Sequence, residues 1–315
     1  MNTIQVQKIK GVFYGQAIGD ALGLGTEFLN KKTIQEYYPN GLNEYAQIVQ
    51  DKHRERWKIG DWTDDTDQFL CICDGILKNN SANPQAFVVE LYKWFKGNPM
   101  GIGQSTLKLL SLPEYTKKPF QASKFAWELS RRQNAPNGGI MRASILGTYN
   151  FNNIDAVIKN TEENIKTTHW DPRCVGSAVI LNYIIAHLIQ NDRVVSIEEI
   201  IEIGKRYDSR IEEYILMAKN DDISLLKLEE VKSMGYTLKA LAAGLWAFFH
   251  AENFEEGILK IIHEGGDADT NACVAGSILG AKFGINNIPK NWQDSLYRKS
   301  FLDKKLEEYL KLTLK

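Results

Sequence analysis

Acidic and hydroxyl side chains are concentrated in one short segment, residues 60–70, with the sequence GDWTDDTDQFL. An apolar series with helical spacing follows it, so the simplest interpretation is a helix N-cap, whose side-chain oxygens bind the free N–H groups of the first turn. A calcium loop of the EF-hand type is a second interpretation, because oxygen-bearing residues alternate from Asp61 to Asp67. The EF-hand requires glycine at its sixth position and glutamate at its twelfth; this sequence has Thr66 and Ile72 there, which excludes it.

A second segment of the same kind lies near the C-terminus, at residues 264–276, with the sequence EGGDADTNACVAG. Its aspartates and threonine also precede a helix-like run. The EF-hand is excluded again, because Ala272 and Ile278 stand at the glycine and glutamate positions. A phosphatase that forms an aspartyl-phosphate would carry DxDx followed by Thr or Val, and here Asn271 stands at that last position.

The presence of two Asp/Thr segments in one chain suggests that they form one composite site. Converging carboxylates repel each other and are costly to bury unless cations neutralise them. Carboxylate and hydroxyl oxygens without His or Cys suit Mg²⁺, Mn²⁺ or Ca²⁺, and this many carboxylates accommodate two ions roughly 3.5–4 Å apart more readily than one. From spacing alone, two independent helix caps remain the alternative. If the segments form one metal site, we expect Asp61 and Asp67 to serve the backbone or to support the ligands.

The elements that must position these residues are mainly helices. Strand-like alternation is limited to a short candidate at 45–49, and no domain boundary is evident. We therefore expect an all-α protein with one domain over residues 1–315, in which the charge-rich segment 191–232 forms a peripheral helical lobe. The predicted helices span residues 8–24, 66–78, 84–96, 121–132, 139–149, 153–165, 174–190, 196–218, 224–232, 235–251, 254–263 and 271–284.

Two of these helices carry glycines four residues apart, which share one helix face. Such a smooth face allows a neighbouring backbone to approach closely, so the pattern predicts tight helix packing. The glycines are Gly11, Gly15, Gly19 and Gly23 in the first helix and Gly276, Gly280 and Gly284 in the last.

Composition narrows the classes of partner. The chain has 38 Lys and Arg against 39 Asp and Glu, a net charge of -1, so nucleic acid is not a default partner.

The uncharged segment 174–191 contains polar residues, which favours a buried core helix over a membrane span. The four cysteines lie among apolar residues and form no CxxC pair. With an N-terminus that lacks a signal-peptide pattern, they predict buried, reduced thiols in a cytoplasmic protein.

Five segments, in this order, give the chain a family resemblance. They are GQAIGDALGLGTEF (15–28), WTDDT (62–66), NGGIMRASILG (137–147), THWDP (168–172) and GGDADTN (265–271). The chain resembles the ADP-ribosylglycohydrolase family, which includes the dinitrogenase reductase-activating glycohydrolase and the ADP-ribosyl-arginine and ADP-ribosyl-serine hydrolases. The matched segments extend over nearly the whole chain.

The resemblance implies a single compact all-α domain with a binuclear magnesium or manganese centre in a cleft. Asp269 would bridge the two ions, and Glu27 would lie beside them, where it polarises water or gates the substrate. The proton donor to the leaving group would be Glu27, Asp64 or Asp65. By motif match, the metal ligands would be Thr63, Asp64, Asp65, Asp267, Asp269 and Thr270.

The resemblance also implies a substrate-binding set, with weaker motif support. The loop 137–139 would offer backbone N–H groups to the diphosphate, Arg142 would anchor that loop, and the segment 101–103 would lie near the ribose. A simple turn and a structural histidine are the alternatives for the loop and for His169, and Trp62 and Trp170 are more consistent with packing than with stacking on a ligand. The set is Gly101, Gly103, Asn137, Gly138, Gly139, Arg142 and His169.

The implied reaction is metal-dependent hydrolysis at the anomeric carbon of the distal ribose, releasing ADP-ribose from an ADP-ribosylated protein or small molecule. The linkage is open: arginine, serine, an O-acetyl ester, a nucleobase or another acceptor. One alternative is an immunity or binding protein that occludes an ADP-ribosyltransferase toxin, which would make a cognate transferase a partner. The other is a two-metal phosphatase or nucleotidase, which would release phosphate in place of ADP-ribose.

Overall fold

The computed structural model describes residues 2–313, and helices make up its regular structure apart from one isolated antiparallel bridge between Pro136 and Tyr236. The α-helices are α1 (Thr3–Gly23), α2 (Lys31–Tyr37), α3 (Asp64–Asn79), α4 (Pro84–Lys96), α5 (Gln104–Leu110), α6 (Pro119–Leu129), α7 (Ile154–Lys166), α8 (Pro172–Asn191), α9 (Ile197–Lys205), α10 (Arg210–Ala218), α11 (Thr237–His250), α12 (Phe254–Ile262), α13 (Ala268–Phe283), α14 (Lys290–Asp294) and α15 (Lys299–Thr313). Short 3₁₀ helices lie at Tyr45–Gln47, Arg54–Arg56, Ile140–Gly147, Ile223–Leu226, Val231–Ser233 and Ile285–Asn287. The expected all-α fold is confirmed.

Helices α1 and α13 pack antiparallel at the centre of the fold with their backbones in contact. A Cβ atom on Gly15 would lie 2.0 Å from the carbonyl oxygen of Gly276, and one on Gly23 would lie 2.4 Å from that of Ala268. Since a larger side chain would overlap the facing backbone, the predicted close packing of the two glycine faces is confirmed. This packing brings the C-terminal end of α1 to the N-terminal end of α13.

Helix α8 is a buried element beside this pair. Among residues 2–313 it is the one helix that is long and apolar enough to cross a membrane by length and composition, yet 89% of its apolar window is buried inside the protein. Its polar residues have partners: the Asn182 side chain accepts a hydrogen bond from the Gly147 backbone N–H at 2.8 Å. The expectation of a core helix is therefore confirmed, and all four cysteines are free and buried, as predicted.

The charge-rich segment differs from the pattern-based prediction. The single helix predicted over 196–218 is two helices, α9 and α10, because the Asp208 side chain accepts from the Arg210 backbone N–H at 2.9 Å and starts a new helix. The helix predicted over 224–232 is replaced by two 3₁₀ turns on either side of Lys227, which has a left-handed φ of 47°. Both α9 and α10 bury their apolar faces in the same core as the rest of the protein.

Three smaller predictions were also wrong. The segment 139–149 forms a 3₁₀ helix and not an α-helix. Its C-terminal end is held by the side chain of Asn182 in α8, which accepts from the Gly147 backbone N–H. The strand candidate at 45–49 forms a 3₁₀ turn, since no strand within residues 2–313 is available to pair with it. Gly284 lies outside the glycine contact and ends α13 with a φ of 76°.

Candidate active site

The first acidic segment is positioned by a carboxylate from α1 that sequence reasoning missed. Asp20 accepts hydrogen bonds from the backbone N–H groups of Thr63 and Thr66, both at 2.9 Å, and from the Thr66 hydroxyl at 2.6 Å. Asp20 is fully buried, and burial raises its pKa to about 6 despite these hydrogen bonds. The start of α3 is thus capped from another helix, which leaves the segment's own aspartates free for a different role.

The flanking aspartates support this segment from outside. Asp61 accepts from the Trp62 backbone N–H at 3.0 Å, and Asp67 accepts from the Trp62 indole N–H at 2.9 Å. Arg298 donates to Asp61 at 2.6 Å and to Asp67 at 2.9 Å, and its guanidinium stacks on the Trp62 ring at 4.1 Å. Asp61 and Asp67 thus bind Trp62 and Arg298 beside the segment, and these contacts account for Trp62 as a packed residue.

The second acidic segment is held by two glycines in the left-handed region. Gly265 and Gly266 have φ values of 71° and 70°, and a Cβ atom on Gly266 would lie 2.0 Å from the Leu228 carbonyl oxygen. Gly266 accepts from the Phe28 backbone N–H at 2.6 Å and donates to the Leu29 carbonyl at 2.9 Å. The N-terminus of α13 is therefore joined directly to the loop that carries Glu27.

The two segments meet and exchange hydrogen bonds. The Thr270 hydroxyl donates to Asp65 Oδ1 at 2.8 Å, and the Thr63 hydroxyl donates to Asp269 Oδ2 at 3.4 Å. Carboxylate oxygens of Glu27, Asp267 and Asp269 lie within 4.8 Å of one another. The expected convergence is thus observed, and Glu27 belongs to the cluster itself. A threonine hydroxyl that donates its hydrogen keeps lone pairs for a cation.

The electrostatics of this cluster fit a bound cation. Burial, reinforced by the neighbouring carboxylates, raises the pKa of Asp64 to about 7 and raises those of Asp65 and Asp269 well above their usual range. Burial also raises the pKa of Glu27 and of Asp267. Among the aspartates of the two segments, Lys and Arg within residues 2–313 form ion pairs with the flanking Asp61 and Asp67 only, and none pairs with the four aspartates predicted as metal ligands: Asp64, Asp65, Asp267 and Asp269. A hard divalent ion would supply the missing charge, and the donors are the oxygens that Mg²⁺ and Mn²⁺ prefer.

The cluster lies on the wall of a cavity of about 790 Å³, a volume typical of sites for ligands of nucleotide size. The predicted residues that line it, with the aspartates and threonines above, are Glu27, Gly101, Gly103, Asn137, Gly138 and His169. Asn137 also donates from Nδ2 to Asp267 Oδ2 at 2.7 Å, which ties the predicted diphosphate loop to the acidic cluster. Gly139 and Arg142 are not among the lining residues.

Arg142 lies behind the cavity wall, where it is fully buried. It donates to the Gln68 side chain at 2.6 Å and to the Thr168 hydroxyl, which in turn lies 2.8 Å from His169 Nδ1. Burial and the Arg142 charge lower the pKa of His169 well below its usual range, so its ring is neutral. Its Nε2 atom is buried without a protein partner and faces Gly138, so it is available to bind a ligand or a water molecule.

A smaller cavity of about 340 Å³ adjoins the first. The two share Ser105, Asn134, Pro136 and His169, and the smaller one is lined further by aromatic and aliphatic side chains of α5 and α6 and by Trp170. The combined space has a polar, acidic end and an apolar end, which suits an elongated ligand whose two ends differ in the same way.

Comparison with known proteins agrees with this geometry. A family profile described as ADP-ribosylglycohydrolase matches residues 1–314. An ADP-ribosylarginine hydrolase, Tri1 of Serratia proteamaculans, is 26% identical over 313 residues, which cover 96% of this chain and 79% of that protein. The ADP-ribosyl-[dinitrogen reductase] glycohydrolase of Rhodospirillum rubrum is 23% identical, covering 91% of this chain and 89% of that one. A solved structure titled ADP-ribosylglycohydrolase-related protein complex shares the fold, with a TM-score of 0.78, 24% identity and coverage of 99% of this chain and 100% of its own.

Proposed function

Because the chain belongs to the ADP-ribosylglycohydrolase family, we propose that it releases ADP-ribose from an ADP-ribosylated target by hydrolysing the bond at the anomeric carbon of the distal ribose. The observation that carries this proposal is the convergence of two acidic segments, distant in sequence, with Glu27 on the wall of one nucleotide-sized cavity. Substrates of this class are elongated, with a hydroxyl-bearing ribose at one end and an aromatic base at the other. The acidic cavity would suit the ribose end, and the more apolar cavity would suit the base.

The proposed cofactor is a pair of Mg²⁺ or Mn²⁺ ions. When bound, such ions supply positive charge that orients ribose hydroxyls and eases the deprotonation of water. Their ligands would be Thr63, Asp64, Asp65, Asp267, Asp269 and Thr270, with Glu27 added because its carboxylate lies in the same cluster.

The protein's own groups account for the other requirements of the reaction. The carboxylates of Glu27, Asp64 and Asp65 face the cavity, where they would stabilise positive charge that develops on the sugar ring and could exchange a proton with water or the leaving group. Asn137 and the glycine after it would hold the diphosphate, together with the neutral His169 Nε2. The base would then occupy the smaller, apolar cavity, and the acceptor would leave past Glu27 and Phe28.

The proposed substrates are ADP-ribosylated proteins or small molecules, with proteins modified on a side chain as the first class to test. The two relatives described above are named for ADP-ribosylarginine and for ADP-ribosylated dinitrogen reductase. We extend this substrate class to the present chain, with arginine as the first linkage to test and the serine, O-acetyl and nucleobase linkages beside it.

A panel of ADP-ribosylated substrates that differ in linkage would test the function. Each is incubated with chelator-treated protein, with and without added Mg²⁺ or Mn²⁺, and free ADP-ribose is measured by mass spectrometry. We expect release of ADP-ribose from at least one linkage, and only when metal is present.

The other outcomes separate the alternatives. Release of inorganic phosphate from ADP-ribose or nucleotides would indicate a two-metal phosphatase. Tight binding of an ADP-ribosyltransferase, with no turnover of any substrate, would indicate an immunity protein. Either result would overturn the proposal.

A further inference from the structure

The side chain of Glu27 is held by a histidine that no motif of the sequence predicts. His53 Nε2 lies 2.6 Å from Glu27 Oε2, and the other ring nitrogen, Nδ1, lies 2.7 Å from Nη2 of Arg56. His53 lines the same cavity as the acidic cluster, and its side chain is 25% exposed. The imidazole therefore bridges a candidate metal-site carboxylate and a cationic residue at the cavity rim.

The contact with Arg56 determines which nitrogen carries the proton. A guanidinium only donates hydrogen bonds, so Nδ1 of His53 must accept and has no hydrogen. The remaining ring hydrogen is then on Nε2, where it points at Glu27 Oε2. The direction of this hydrogen bond is thus fixed by the protein: His53 donates and Glu27 accepts.

The imidazole ring is fixed on its other sides as well. Its centroid lies 5.2 Å from that of Phe28 and 5.5 Å from that of Trp57, so the ring is packed between two aromatic side chains. Asp51 holds the preceding turn, because its Oδ1 accepts from the backbone N–H groups of His53 and Arg54, both at 3.0 Å. Few rotamers of His53 are compatible with these contacts.

The next residue along the chain fixes the backbone of the same glutamate. Arg54 is buried and donates from Nη2 to the Glu27 carbonyl oxygen at 2.5 Å and from Nε to the Gly25 carbonyl oxygen at 2.9 Å. Adjacent residues of one turn therefore hold the main chain and the side chain of Glu27. This double constraint is more than packing alone requires of a loop residue.

We propose that His53 is a positioning residue for the metal centre, which holds Oε2 of Glu27 so that Oε1 is presented to the cluster with Asp267 and Asp269. The inference rests on the proposed function, because it concerns the same site. Hydrogen bonds from outside a metal site orient its carboxylate ligands, and their loss typically weakens metal binding about 10–100-fold.

Substitutions at this one position separate the hydrogen bond from the packing. Glutamine places an amide N–H where His53 has Nε2–H, whereas the shorter asparagine places it near the Nδ1 position, out of reach of Glu27. His53→Ala, His53→Gln and His53→Asn would therefore be compared. His250→Ala is the matched control, since His250 is also partly buried, makes one hydrogen bond, to the Ala218 carbonyl at 3.1 Å, and does not line the cavity.

Metal is first stripped with a chelator, which is then removed. Mn²⁺ affinity is measured from the electron paramagnetic resonance signal of free Mn²⁺ as the protein is titrated, and the melting temperature of each metal-free variant is measured as well. We expect His53→Ala and His53→Asn to weaken Mn²⁺ binding about 10-fold or more, and His53→Gln and His250→Ala to stay within about threefold of wild type. The kcat for the substrate found in the linkage panel should follow the same order, while KM changes less.

Two results would contradict the inference. One is wild-type Mn²⁺ affinity in His53→Ala; the other is equal loss in the alanine and glutamine variants, which would indicate packing alone. If wild-type protein neither binds Mn²⁺ nor releases ADP-ribose, the proposed function fails instead, so the two failures are distinguishable.

Discussion

At the scale of single residues, the acidic cluster places like charges together away from water. Asp269 is an example: burial first, and then the charges of Glu27, Asp65 and Asp267, raise its pKa well above the usual range. A carboxyl group whose folded pKa is raised destabilises the folded protein at pH values above the pKa of the unfolded chain, which include neutral pH. We therefore expect Asp269 to lower the stability of the metal-free folded protein, while its carboxylate is available to bind a cation.

Asp269→Asn should separate activity from stability. The amide keeps the shape and can accept from the Thr270 backbone N–H, but removes one buried charge. We expect kcat/KM for ADP-ribose release to fall about 100-fold or more, while the melting temperature in chelator stays equal to wild type or rises.

Asp61→Asn is the matched control for this variant, because it makes the same chemical change at a carboxylate that has a cationic partner. Loss of the Asp61 contact with Arg298 should lower the melting temperature. The interpretation of the cluster would be wrong if both variants lost stability equally in chelator.

At the scale of elements, the α1–α13 contact sets the distance between the two halves of the site. Glu27 follows α1, and Asp267 and Asp269 begin α13. The carbonyl oxygens of Gly15 and Gly276 each lie close to where a Cβ atom on the other residue would be, so the two backbones are as close as sterics permit. Any side chain inserted there must push the helices apart and separate the carboxylates.

Gly15→Ala tests this contact. In an unpacked helix the change would stabilise the protein by roughly 0.5–1 kcal/mol. Here a Cβ atom would lie 2.0 Å from the Gly276 oxygen, so we expect the free energy of unfolding to fall by about 1–3 kcal/mol. Metal affinity should fall with it.

Gly103→Ala serves as the stability control in the same denaturant titration. A Cβ atom on Gly103 would meet no atom within 4 Å, so its unfolding free energy should stay within about 0.5 kcal/mol of wild type. Similar values for the two variants would show that the glycine contact is not tight in solution.

At the scale of the whole molecule, the helices bury one continuous core around a site that carries uncompensated charge. The cations proposed to bind there would act on the folded state only, because the unfolded chain has no such cluster. A ligand that binds only the folded state stabilises it by RT ln(1 + [L]/Kd), which is about 2.7 kcal/mol at one hundred times Kd.

Metal removal should therefore change stability reversibly. Chelator-treated protein is expected to melt at a lower temperature than protein with Mg²⁺ or Mn²⁺, with a shift that grows with metal concentration in differential scanning fluorimetry. Sodium chloride at equal ionic strength should give little shift, and Asp269→Asn should give a smaller one. The absence of any metal-dependent shift in wild type would contradict the proposed centre.

Much of this molecule is predictable from its sequence, because local patterns determine it. The two acidic segments, the glycine faces of α1 and α13 and most long helices follow from residue type and spacing. Helix α15 was not predicted, although its pattern is local too: Leu302, Leu306, Tyr309 and Leu310 recur on one helix face.

The roles of Asp20 and His53 could not be predicted from local sequence patterns. Each is a single polar residue without a local pattern, and the site groups that it contacts lie 26 to 46 positions away along the chain. Only the fold brings Asp20 to the start of α3 or the imidazole to Glu27. The break at Asp208 was missed for a different reason: apolar spacing continues through it, whereas the Asp208 side chain accepts a local hydrogen bond from the Arg210 backbone N–H, which competes with a continuous helix.

The reciprocal hydrogen bonds between the two acidic segments have a consequence for how such chains diverge. Thr63 supports Asp269, and Thr270 supports Asp65, so each segment depends on a side chain of the other. Substitutions in the two segments should therefore be epistatic, with a combined effect that differs from the sum of the separate effects. Although distant in sequence, the segments are therefore expected to behave as one energetically coupled unit, in which the effect of a change in one depends on the residues present in the other.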